Sequence, residues 1–495
     1  MVFNSYTFVV FFAIMLILHN LSIAWKAKKV NLLLASYVFY AAWNPPFILL
    51  LWLSTVVDFF VGRSLYTQQN KHKRRMLLVI SLIGNLGMLC FFKYGGFILE
   101  NFVALTNAFG VNYHPAKPNI ILPAGISFYT FTTLCYTVDM YQRKSEPVKS
   151  LLDFSLFVTF FPHLVAGPIV RPPQLVPQFE SPRKATRQQL LDGLLLLSLG
   201  LFMKVVCADT LLSGASDLVF SAHRGLGPLD AWIGVLAFSG QIFFDFAGYS
   251  TSAIGVAMCL GFVLPQNFKY PYAAIGFSDF WRRWHITLSS WLRDYLYIPL
   301  GGNREGKFRT YINLMITMLV GGLWHGANWT FVAWGGLHGV YLWVEKALSD
   351  SRKKASGGIA DETVPATVIA TASLGPDLTA KKPAGFIAAL LTFLLICVTW
   401  VFFRSATFTD AWQMLASMSG RIAPAGPPLL STVTIIKVAV VITLMLAFHW
   451  LMRDTSVLKT VAKLPWWLTG TVWALLLIMI VLSQGTGKSF IYFQF

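Results

Sequence analysis

Long apolar stretches alternate with short polar connections along almost the whole chain. They lie near residues 6–24, 31–43, 46–62, 76–99, 119–140, 151–170, 189–221, 228–263, 311–325, 328–347, 386–403, 432–451 and 466–483. A helix needs about 20 apolar residues to cross the roughly 30 Å of hydrocarbon in a bilayer. The pattern therefore predicts an all-α polytopic membrane protein with about ten to twelve transmembrane helices.

Several of these segments are too short, or too often interrupted by glycine and proline, to be plain spans. Irregular backbone survives at membrane depth only where protein or a water-filled cavity covers it. We therefore expect re-entrant or half-length helices beside a cavity. The first segment lacks a basic flank and a small-residue cleavage site, so we interpret it as a retained span and not as a signal peptide.

Composition supports a membrane protein and narrows its partners. Only 12% of the residues are charged, against about 25% in soluble domains, and the mean hydropathy is +0.61. A net charge of +18 is typical of lysine and arginine in cytoplasmic loops and at the level of lipid headgroups. No soluble basic domain is present to hold a nucleic acid, so we expect the lipid bilayer, and no nucleic acid, as a partner.

Two basic clusters predict the orientation of the chain. The first comprises Lys26, Lys28 and Lys29, and the second comprises Lys71, Lys73, Arg74 and Arg75. Lysine and arginine accumulate in cytoplasmic loops. We therefore predict two cytoplasmic loops that flank a hairpin over residues 31–62, with the N-terminus on the outer side.

Residues 351–385 interrupt the apolar pattern with a polar sequence rich in alanine, glycine, proline and threonine. This composition is typical of a flexible loop. We predict three parts: a membrane core over residues 1–350 that holds nearly all the unusual polar side chains, the loop over 351–385, and a supporting helical block over 386–495.

The stretch GGLWHGANWTFVAWGGLHG, residues 321–339, places two histidines, three tryptophans and six glycines in nineteen positions. An ionisable side chain within a membrane segment is costly and is by default a functional hypothesis. Glycines beside His325 permit close approach of a helix or a ligand, so we predict a functional role for His325, with tight helix packing as the alternative. His338 is expected to be structural. The two histidines lack the i, i+4 spacing of a helical metal pair, and no metal site is predicted.

A second polar stretch, FSDFWRRWHITLSSWLRDYLYIPLGGNREGKFRTY, covers residues 277–311. Helical spacing would place Phe280, Trp284, Thr287 and Trp291 along one side of a helix. One interpretation is an interfacial amphipathic helix with snorkelling arginines. The other is a helix that points His285 into a cavity, while Arg282 and Arg283 bind an anionic cofactor such as the phosphates of coenzyme A.

Two more apolar segments contain polar groups. Asp245 has Gln241 and Tyr249 one helical turn away on either side, and residues 121–143 contain Ser127, Tyr129 and Asp139. In both segments we favour buried hydrogen-bond networks that fix helix packing, with lining of a cavity as the alternative.

The motif inventory of the sequence excludes several chemistries. The sequence contains no glycine-rich phosphate loop, GxSxG elbow, HExxH or CxxC motif. A histidine in a tryptophan-lined site of low dielectric can accept a proton from a hydroxyl group as that group attacks a thioester. Acyl transfer from a coenzyme A thioester to an alcohol therefore fits the residues.

Two long motifs, WRRWHITLSSWLRDYLYIPLGGN and GGLWHGANWTFVAWGGLHG, resemble those of the membrane-bound O-acyltransferase family. Further segments agree in order: LLLASYVFYAAW, ILPAGISFYTF, FPHLVAGPIVRPPQLVPQF, QIFFDFAGYS and WVFFRS. The likeness is greatest to the branch that acetylates bacterial exopolysaccharides. It implies a funnel-shaped multi-helix fold, with His325 as the catalytic histidine and His285 as the second polar residue of the site.

The resemblance also implies an acyl donor and partners. We expect acetyl-CoA as the donor, with no tightly bound cofactor, and we expect it to contact Arg282, Arg283, Trp284, Trp324 and Asn328. Periplasmic or membrane acetyltransferase proteins of an exopolysaccharide system are the expected partners, in the inner membrane of a bacterium.

The chain ends in SFIYFQF, in which Phe490, Tyr492 and Phe495 fit an F-x-Y-x-x-F pattern. This ending is similar to that of the small membrane protein of the teichoic-acid D-alanylation system. The likeness implies that Tyr492 carries the acyl group as an ester. An aromatic anchor at the membrane interface is the alternative.

Three functional hypotheses follow. The first is an O-acetyltransferase that passes acetyl groups from cytoplasmic acetyl-CoA across the membrane to an exported polysaccharide such as alginate or cellulose. The second is a transporter or flippase for a lipid-linked sugar, and the third is D-alanyl transfer from a carrier protein.

Overall fold

The structure, a computed structural model, describes residues 1–116, 118–222, 224–355, 383–484 and 490. The regular elements in these ranges are α-helices with short π-helical and 3-10 segments, so the predicted all-α class is confirmed. Six helices are long and apolar enough to cross a membrane, at Phe47–Thr67, Lys71–Ala108, Arg187–Phe220, Pro228–Cys259, Ala384–Arg404 and Thr432–Met452. Two shorter apolar helices lie at Tyr6–Asn20 and Trp466–Leu482. The chain is a multi-pass membrane protein, and the expected ten to twelve spans stay a prediction.

The described chain divides into two compact units. The first comprises Met1–Leu197 with Ser250–Pro265, and the second comprises Ser198–Tyr249 with Gln266–Phe495. The predicted boundaries at residues 350 and 386 stay predictions, and most of the predicted flexible loop, residues 356–382, lies outside the described residues.

The first unit is built mainly from nine helices. They are α1 (Tyr6–Asn20), α2 (Trp25–Ala41), α3 (Phe47–Thr67), α4 (Lys71–Leu89), α5 (Gly95–Ala108), α6 (Ile126–Gln142), α7 (Leu151–Thr159), α8 (Pro172–Glu180) and α9 (Arg187–Leu201). A π-helical turn, Cys90–Tyr94, joins α4 to α5.

Both basic clusters lie in the first turns of α2 and α4 and not in loops, which corrects that part of the sequence prediction. Long basic side chains can reach the interface from a helix end, and the predicted orientation stays a prediction.

A buried polar network joins three helices of the first unit. The carboxylate of Asp58 on α3 accepts hydrogen bonds from Ser81 Oγ (2.5 Å), Asn85 Nδ2 (2.7 Å) and Thr137 Oγ1 (3.3 Å). Asn85 Oδ1 accepts in turn from Thr133 Oγ1 at 3.0 Å. A buried carboxylate is tolerated when such donors surround it, so this network fixes α3 and α4 against α6.

The network predicted in residues 121–143 therefore exists, and it includes threonines that the sequence did not single out. Ser127, Tyr129 and Asp139 are buried in α6, whereas Thr133 and Thr137 bond to α3 and α4.

Both histidine motifs lie in the second unit, and so do the remaining helices, except for the end of α11 from Ser250 onward, which belongs to the first unit. The remaining helices are α10 (Ser213–Phe220), α11 (Pro228–Cys259), α12 (Phe277–Trp281), α13 (Ile286–Leu292), α14 (Lys307–His325), α15 (Trp329–Ala355), α16 (Pro383–Arg404), α17 (Phe408–Met418), α18 (Thr432–Met452), α19 (Val457–Val461) and α20 (Trp466–Leu482). A long π-helical segment, Phe202–Leu212, precedes α10.

Helices α14 and α15 cross in close contact at two glycines. A Cβ added at Gly322 would overlap the carbonyl oxygen of Phe331 and lie 3.1 Å from Gly335 Cα. A Cβ at Gly335 would overlap the carbonyl oxygen of Met318. Small residues allow two helix backbones to approach in this way. Gly322 and Gly335 of the 321–339 motif are therefore required for the packing of α14 against α15.

The segment 277–297 is not one helix. Helix α12 ends at Trp281, α13 begins at Ile286, and a π-helical turn, Arg293–Tyr297, follows. His285 lies at the break with φ 43° and ψ 53°, in the left-handed region. The predicted helix with Phe280, Trp284, Thr287 and Trp291 on one side, and with His285 inside it, is therefore wrong, because a left-handed residue ends the run of α-helical hydrogen bonds.

Charged side chains hold this broken segment in place. Asp279 of α12 binds Arg283 at 2.8 Å and Arg453, which follows α18, at 2.8 Å. Burial would raise the pKa of the Asp279 carboxyl, but the two guanidinium groups hold that pKa below its usual value. Glu345 of α15 accepts hydrogen bonds from the first two backbone N–H groups of α12 at 2.8 and 2.9 Å. An acidic side chain at a helix N-terminus is favourable.

The glycine crossing makes a prediction about stability. We expect Gly335→Ala to lower the free energy of unfolding by about 1–3 kcal/mol, because the added methyl group forces the two backbones apart. Gly336→Ala is the matched control, since its Cβ would meet Leu319 Cδ2 at an ordinary 3.4 Å. Thermal unfolding of both variants in detergent measures the difference. Equal melting temperatures would contradict the packing role.

Candidate active site

His325 is the last residue of α14 and is 2% exposed. Three aromatic rings meet its imidazole edge-on, with centroid distances of 4.9 Å to Trp324, 5.0 Å to Trp334 and 5.3 Å to Phe403. These rings exclude water from the imidazole and lower the local dielectric, which strengthens any interaction with a charge that forms there.

The chain turns sharply after His325 for local reasons. Gly326 is extended, and a Cβ there would overlap the ring of Phe331. Asn328 then caps α15, because its Oδ1 accepts from the backbone N–H of Thr330 at 3.0 Å. Its Nδ2 donates to the carbonyl oxygen of Ala406 at 2.8 Å. Both the oxygen and the nitrogen of the Asn328 amide thus bind backbone groups. Its predicted contact with the acyl donor stays a prediction.

His285 is fully buried, with 0% exposure, and a loop side chain orients its ring. Its Nδ1 lies 3.1 Å from Oδ1 of Asn267, which also accepts from Thr287 Oγ1 at 2.9 Å. An amide oxygen is an acceptor only, so the hydrogen bond requires the proton on Nδ1 and makes Nε2 the acceptor of the neutral ring. Burial lowers the pKa of His285, which lies outside the long apolar helices, to about 3.

Asn267 also holds the backbone of this turn. Its carbonyl oxygen accepts from the N–H of Ile286 at 2.9 Å. A left-handed conformation at a residue other than glycine costs about 1–3 kcal/mol and persists only where its surroundings impose it. Sequence inspection missed Asn267, because a single asparagine in a loop carries no periodic signal.

The structure brings the two predicted histidines together around one tryptophan. The Trp324 ring lies 4.9 Å from that of His325 and 5.9 Å from that of His285. Phe246 of α11 packs edge-on against His285 at 4.6 Å and contacts Phe490 at 5.9 Å. Tyr492, the predicted acyl carrier, lies outside the described residues.

A small cavity of about 20 Å³ opens beside His325. Its walls come from α12, α13, α14 and α15 and include Leu288, Leu292, Met318, Gly321 and Trp334. A single water needs about 10–15 Å³ on this scale. The cavity therefore admits one small group next to the imidazole.

The other predicted donor contacts lie in different surroundings. Arg283 is 8% exposed and is held by Asp279, and it also donates to the carbonyl oxygen of Arg453 at 3.0 Å. Trp284 is fully buried and packs on Trp400 at 5.1 Å. Arg282 is only partly buried. Of the two arginines, Arg282 is thus the more accessible to an anionic ligand.

His338 is buried beside the same tryptophan as His325. Its ring lies 4.7 Å from that of Trp334, and its Nε2 lies 3.1 Å from Thr399 Oγ1. The Thr399 hydroxyl already donates to Ile396 O at 2.7 Å, so Nε2 of His338 is the donor to it. These contacts are consistent with the predicted packing role.

Asp245 belongs to a buried charged cluster. Lys204 Nζ lies 2.5 Å from Asp245 Oδ1 and 2.9 Å from Asp209 Oδ1. Lys204 and Asp209 are five residues apart and face the same way because they lie in a π-helical segment, where the repeat is i to i+5. Because a buried charge needs a partner of opposite charge, the buried Asp245 should have led us to look for a lysine such as Lys204 in the neighbouring apolar segment. The contacts agree with the favoured interpretation of Asp245 as part of a packing network.

The arrangement supports proton transfer at an apolar site. One buried histidine borders a cavity of a few atoms, and a second, neutral histidine lies across a shared tryptophan. Among the described residues, no group of three or more His, Cys, Asp or Glu side chains could hold a metal ion.

Comparison with known proteins gives the following matches. The sequence profile of the membrane-bound O-acyltransferase family matches residues 147–356. "Probable alginate O-acetylase AlgI" of Azotobacter vinelandii is 39% identical over 420 residues, which cover 84% of this chain and 78% of the relative. "Peptidoglycan O-acetyltransferase" of Helicobacter pylori is 38% identical over 418 residues, covering 79% and 74%. "Teichoic acid D-alanyltransferase" of Streptococcus thermophilus is 31% identical over 251 residues, covering 47% and 60%.

The buried state of His285 predicts a pH dependence of stability. Above pH 6.5 the ring is neutral in both the folded and the unfolded chain and contributes nothing. As the pH falls from 6.5 towards about 3, only the unfolded chain takes up the proton, so folded stability falls. Over this range the free energy of unfolding falls by up to about 1.4 kcal/mol for each unit of pH.

Melting temperatures between pH 7 and pH 4 test this dependence. His285→Asn, which tolerates a left-handed backbone, is expected to lose less stability on acidification than the wild type. His72→Asn, at an exposed position of α4, serves as the control and should follow the wild type. Parallel curves for all three proteins would contradict the prediction.

Proposed function

We propose that the chain, which belongs to the membrane-bound O-acyltransferase family, is an O-acetyltransferase that uses acetyl-CoA. The observation that carries this proposal is the position of His325. It is buried among three aromatic rings, borders a small cavity, and lies within the segment that matches the family. Two of the relatives above are named for O-acetylation.

In the proposed reaction, His325 accepts the proton of an acceptor hydroxyl as its oxygen attacks the thioester carbonyl. The new C–O bond gives a tetrahedral intermediate, whose collapse breaks the C–S bond. The thiolate of coenzyme A leaves and takes the proton from the imidazolium, so the histidine returns to its neutral form. Because the thiolate of a thioester is a good leaving group, a positioned base supplies much of what the reaction needs.

His285 contributes by orientation. Two roles were predicted for it, to orient His325 or to polarise the thioester carbonyl. Polarisation needs an N–H donor, but the Nδ1 proton of His285 is directed at Asn267, and its pKa of about 3 leaves the ring neutral at physiological pH. The ring of His285 packs edge-on against Trp324, which also packs edge-on against His325, so the orienting role fits better.

The remaining predicted contacts would bind the bulk of the donor. Arg282 is the candidate for a phosphate of coenzyme A, because a guanidinium matches phosphate geometry and Arg282 is more exposed than Arg283. Trp324 lies between the histidines and would border the acetyl group. Trp284 and Asn328 would act through packing and through the cap of α15.

The acceptor would be a hydroxyl group of an exported polymer. The relatives are named for alginate and for peptidoglycan, both polymers outside the cytoplasm, so transfer would proceed across the inner membrane. Periplasmic or membrane partner proteins, or an acetyl ester on Tyr492, would complete the path.

D-alanyl transfer is the second candidate, because a relative named for it matches 47% of the chain. Family membership in the acyltransferases leaves the transporter or flippase hypothesis without support. Acetyl-CoA and a D-alanyl carrier protein, offered side by side to the same membranes, distinguish the two donors by which thioester is consumed.

The role of His325 is testable by substitution. We expect His325→Ala to lower transfer of labelled acetyl from acetyl-CoA into the polymer fraction of membranes by about 10²- to 10⁴-fold, the range of general-base catalysis. His338→Gln, at a buried histidine on the same tryptophan, should cost less than about tenfold. Transfer by His325→Ala at the wild-type rate, with normal protein levels and melting temperature, would refute the role.

The acyl relay makes a separate prediction. Purified protein incubated with acetyl-CoA should gain one acetyl group on the peptide that contains Tyr492, as read by mass spectrometry. The modification should disappear in Tyr492→Phe and in His325→Ala. An unmodified wild-type peptide, with acetyl transfer intact, would favour direct transfer to a partner.

A further inference from the structure

We propose that Arg453, which directly follows α18, is a positioning residue for the acyl-transfer reaction, because it holds in place the turn that carries His285. This inference rests on the proposed function, in which His285 orients His325. Three observations support it: a carboxylate shared by two arginines, a second contact of α18 with the same part of the chain, and the left-handed backbone that these contacts hold.

The carboxylate of Asp279 joins the end of α18 to α12. Its Oδ1 accepts from Arg283 Nε at 2.8 Å, and its Oδ2 accepts from Arg453 Nη2 at 2.8 Å. Oδ2 also accepts from the backbone N–H of Ile275 at 3.0 Å. Both arginines are buried, and hydrogen bonds between charged groups are roughly twice as strong as neutral ones. Arg453 and Asp279 together therefore fix the position of the Arg283 guanidinium.

Arg283 passes this constraint to the residues that hold His285. Its Nη1 donates to the carbonyl oxygen of Lys269 at 3.3 Å, and the N–H of Lys269 donates to the carbonyl oxygen of Arg283 at 2.9 Å. Asn267, two residues before Lys269, accepts from the N–H of Ile286 at 2.9 Å, and its Oδ1 lies 3.1 Å from His285 Nδ1. The two segments are thus paired, so a displacement of Arg283 would move Asn267 and the imidazole with it.

Helix α18 makes a second contact with this part of the chain, one helical turn before Arg453. His449 Nδ1 accepts from the backbone N–H of Tyr272 at 3.3 Å, and Arg453 Nη1 donates to the carbonyl oxygen of Ala273. Residues four apart lie on one face of a helix. The end of α18 therefore presents both side chains to one short 3-10 turn, which begins two residues after Lys269.

The backbone held by these contacts is unusual. Among the described residues, three residues other than glycine have a positive φ, and two of them are Tyr270 (48°) and His285 (43°). Such conformations persist only where the surroundings impose them. Without Arg453, we expect the paired segments to relax. The imidazole would then leave its contact of 5.9 Å with Trp324, the ring that the two histidines share.

The experiment uses membranes that contain the full-length enzyme. Transfer of labelled acetyl from acetyl-CoA into the polymer fraction gives the KM for acetyl-CoA and kcat per folded enzyme. Arg453→Met removes the guanidinium, whereas Arg453→Lys keeps the charge beside Asp279 but has one nitrogen where two bind Asp279 and Ala273. Lys29→Met is the matched control, because Lys29 forms a similarly buried ion pair with Asp153 at 2.5 Å in the other compact unit.

We expect Arg453→Met to lower kcat by about 10- to 100-fold and to change the KM for acetyl-CoA by less than about threefold, because a misplaced group slows the reaction without weakening donor binding. The kcat of Arg453→Lys should lie between those of Arg453→Met and the wild type. Lys29→Met should leave the kcat of the folded enzyme unchanged even though it lowers stability, since it breaks a buried pair far from the histidines.

A double variant separates positioning from a general loss of stability. His285→Asn removes the imidazole and retains the left-handed turn. If Arg453 acts through His285, adding Arg453→Met to His285→Asn should change kcat by less than about threefold, because residues that act as a unit have non-additive effects.

The other outcomes would each overturn a distinct statement. Equal kcat for Arg453→Met and the wild type, a loss confined to KM, or losses that multiply in the double variant would refute the positioning role, while acetyl transfer by His325 stands. A wild-type kcat in His285→Asn would refute it together with the orienting role of His285. A wild type that transfers no acetyl from acetyl-CoA would refute the proposed function itself.

Discussion

The crossing of α14 and α15 at Gly322 and Gly335 is the constraint on which the site depends. Because the two backbones are in contact there, the end of α14 and the first turns of α15 share one small volume. His325 on one helix and Trp334 on the other then meet at 5.0 Å. A wider crossing would separate the imidazole from its aromatic enclosure and would open the cavity to water. Helix packing and site chemistry therefore rest on the same glycines.

Much of this arrangement could be predicted from the sequence, for identifiable reasons. Long apolar runs set the all-helical class, and the density of glycine and tryptophan around His325 marked a close and aromatic contact. The break at His285 could not be predicted, because two short helices separated by a left-handed residue leave the spacing of Phe280 and Trp284 looking helical. Its hydrogen-bond partner Asn267 lies 18 residues earlier in a loop, where no periodicity points to it.

Charged side chains show a second limit of sequence interpretation. Arg283 looks from its position like a ligand-binding arginine, yet it is held by Asp279, which also binds Arg453, 174 residues later in the chain. Lys204 and Asp245 form a comparable pair between two apolar segments. A sequence displays the charge but not the partner, and the partner decides whether the charge is structural or available to a substrate.

The left-handed backbone at His285 restricts which substitutions that position tolerates, independently of the chemistry of its ring. Glycine, asparagine and aspartate adopt φ near 43° at modest cost, whereas alanine and β-branched residues adopt it poorly. An alanine scan would therefore combine two losses at this position, the imidazole and the turn, and would overstate the importance of the imidazole. In related chains, substitutions tolerated at this position would therefore be confined to the few residues that can adopt the left-handed turn.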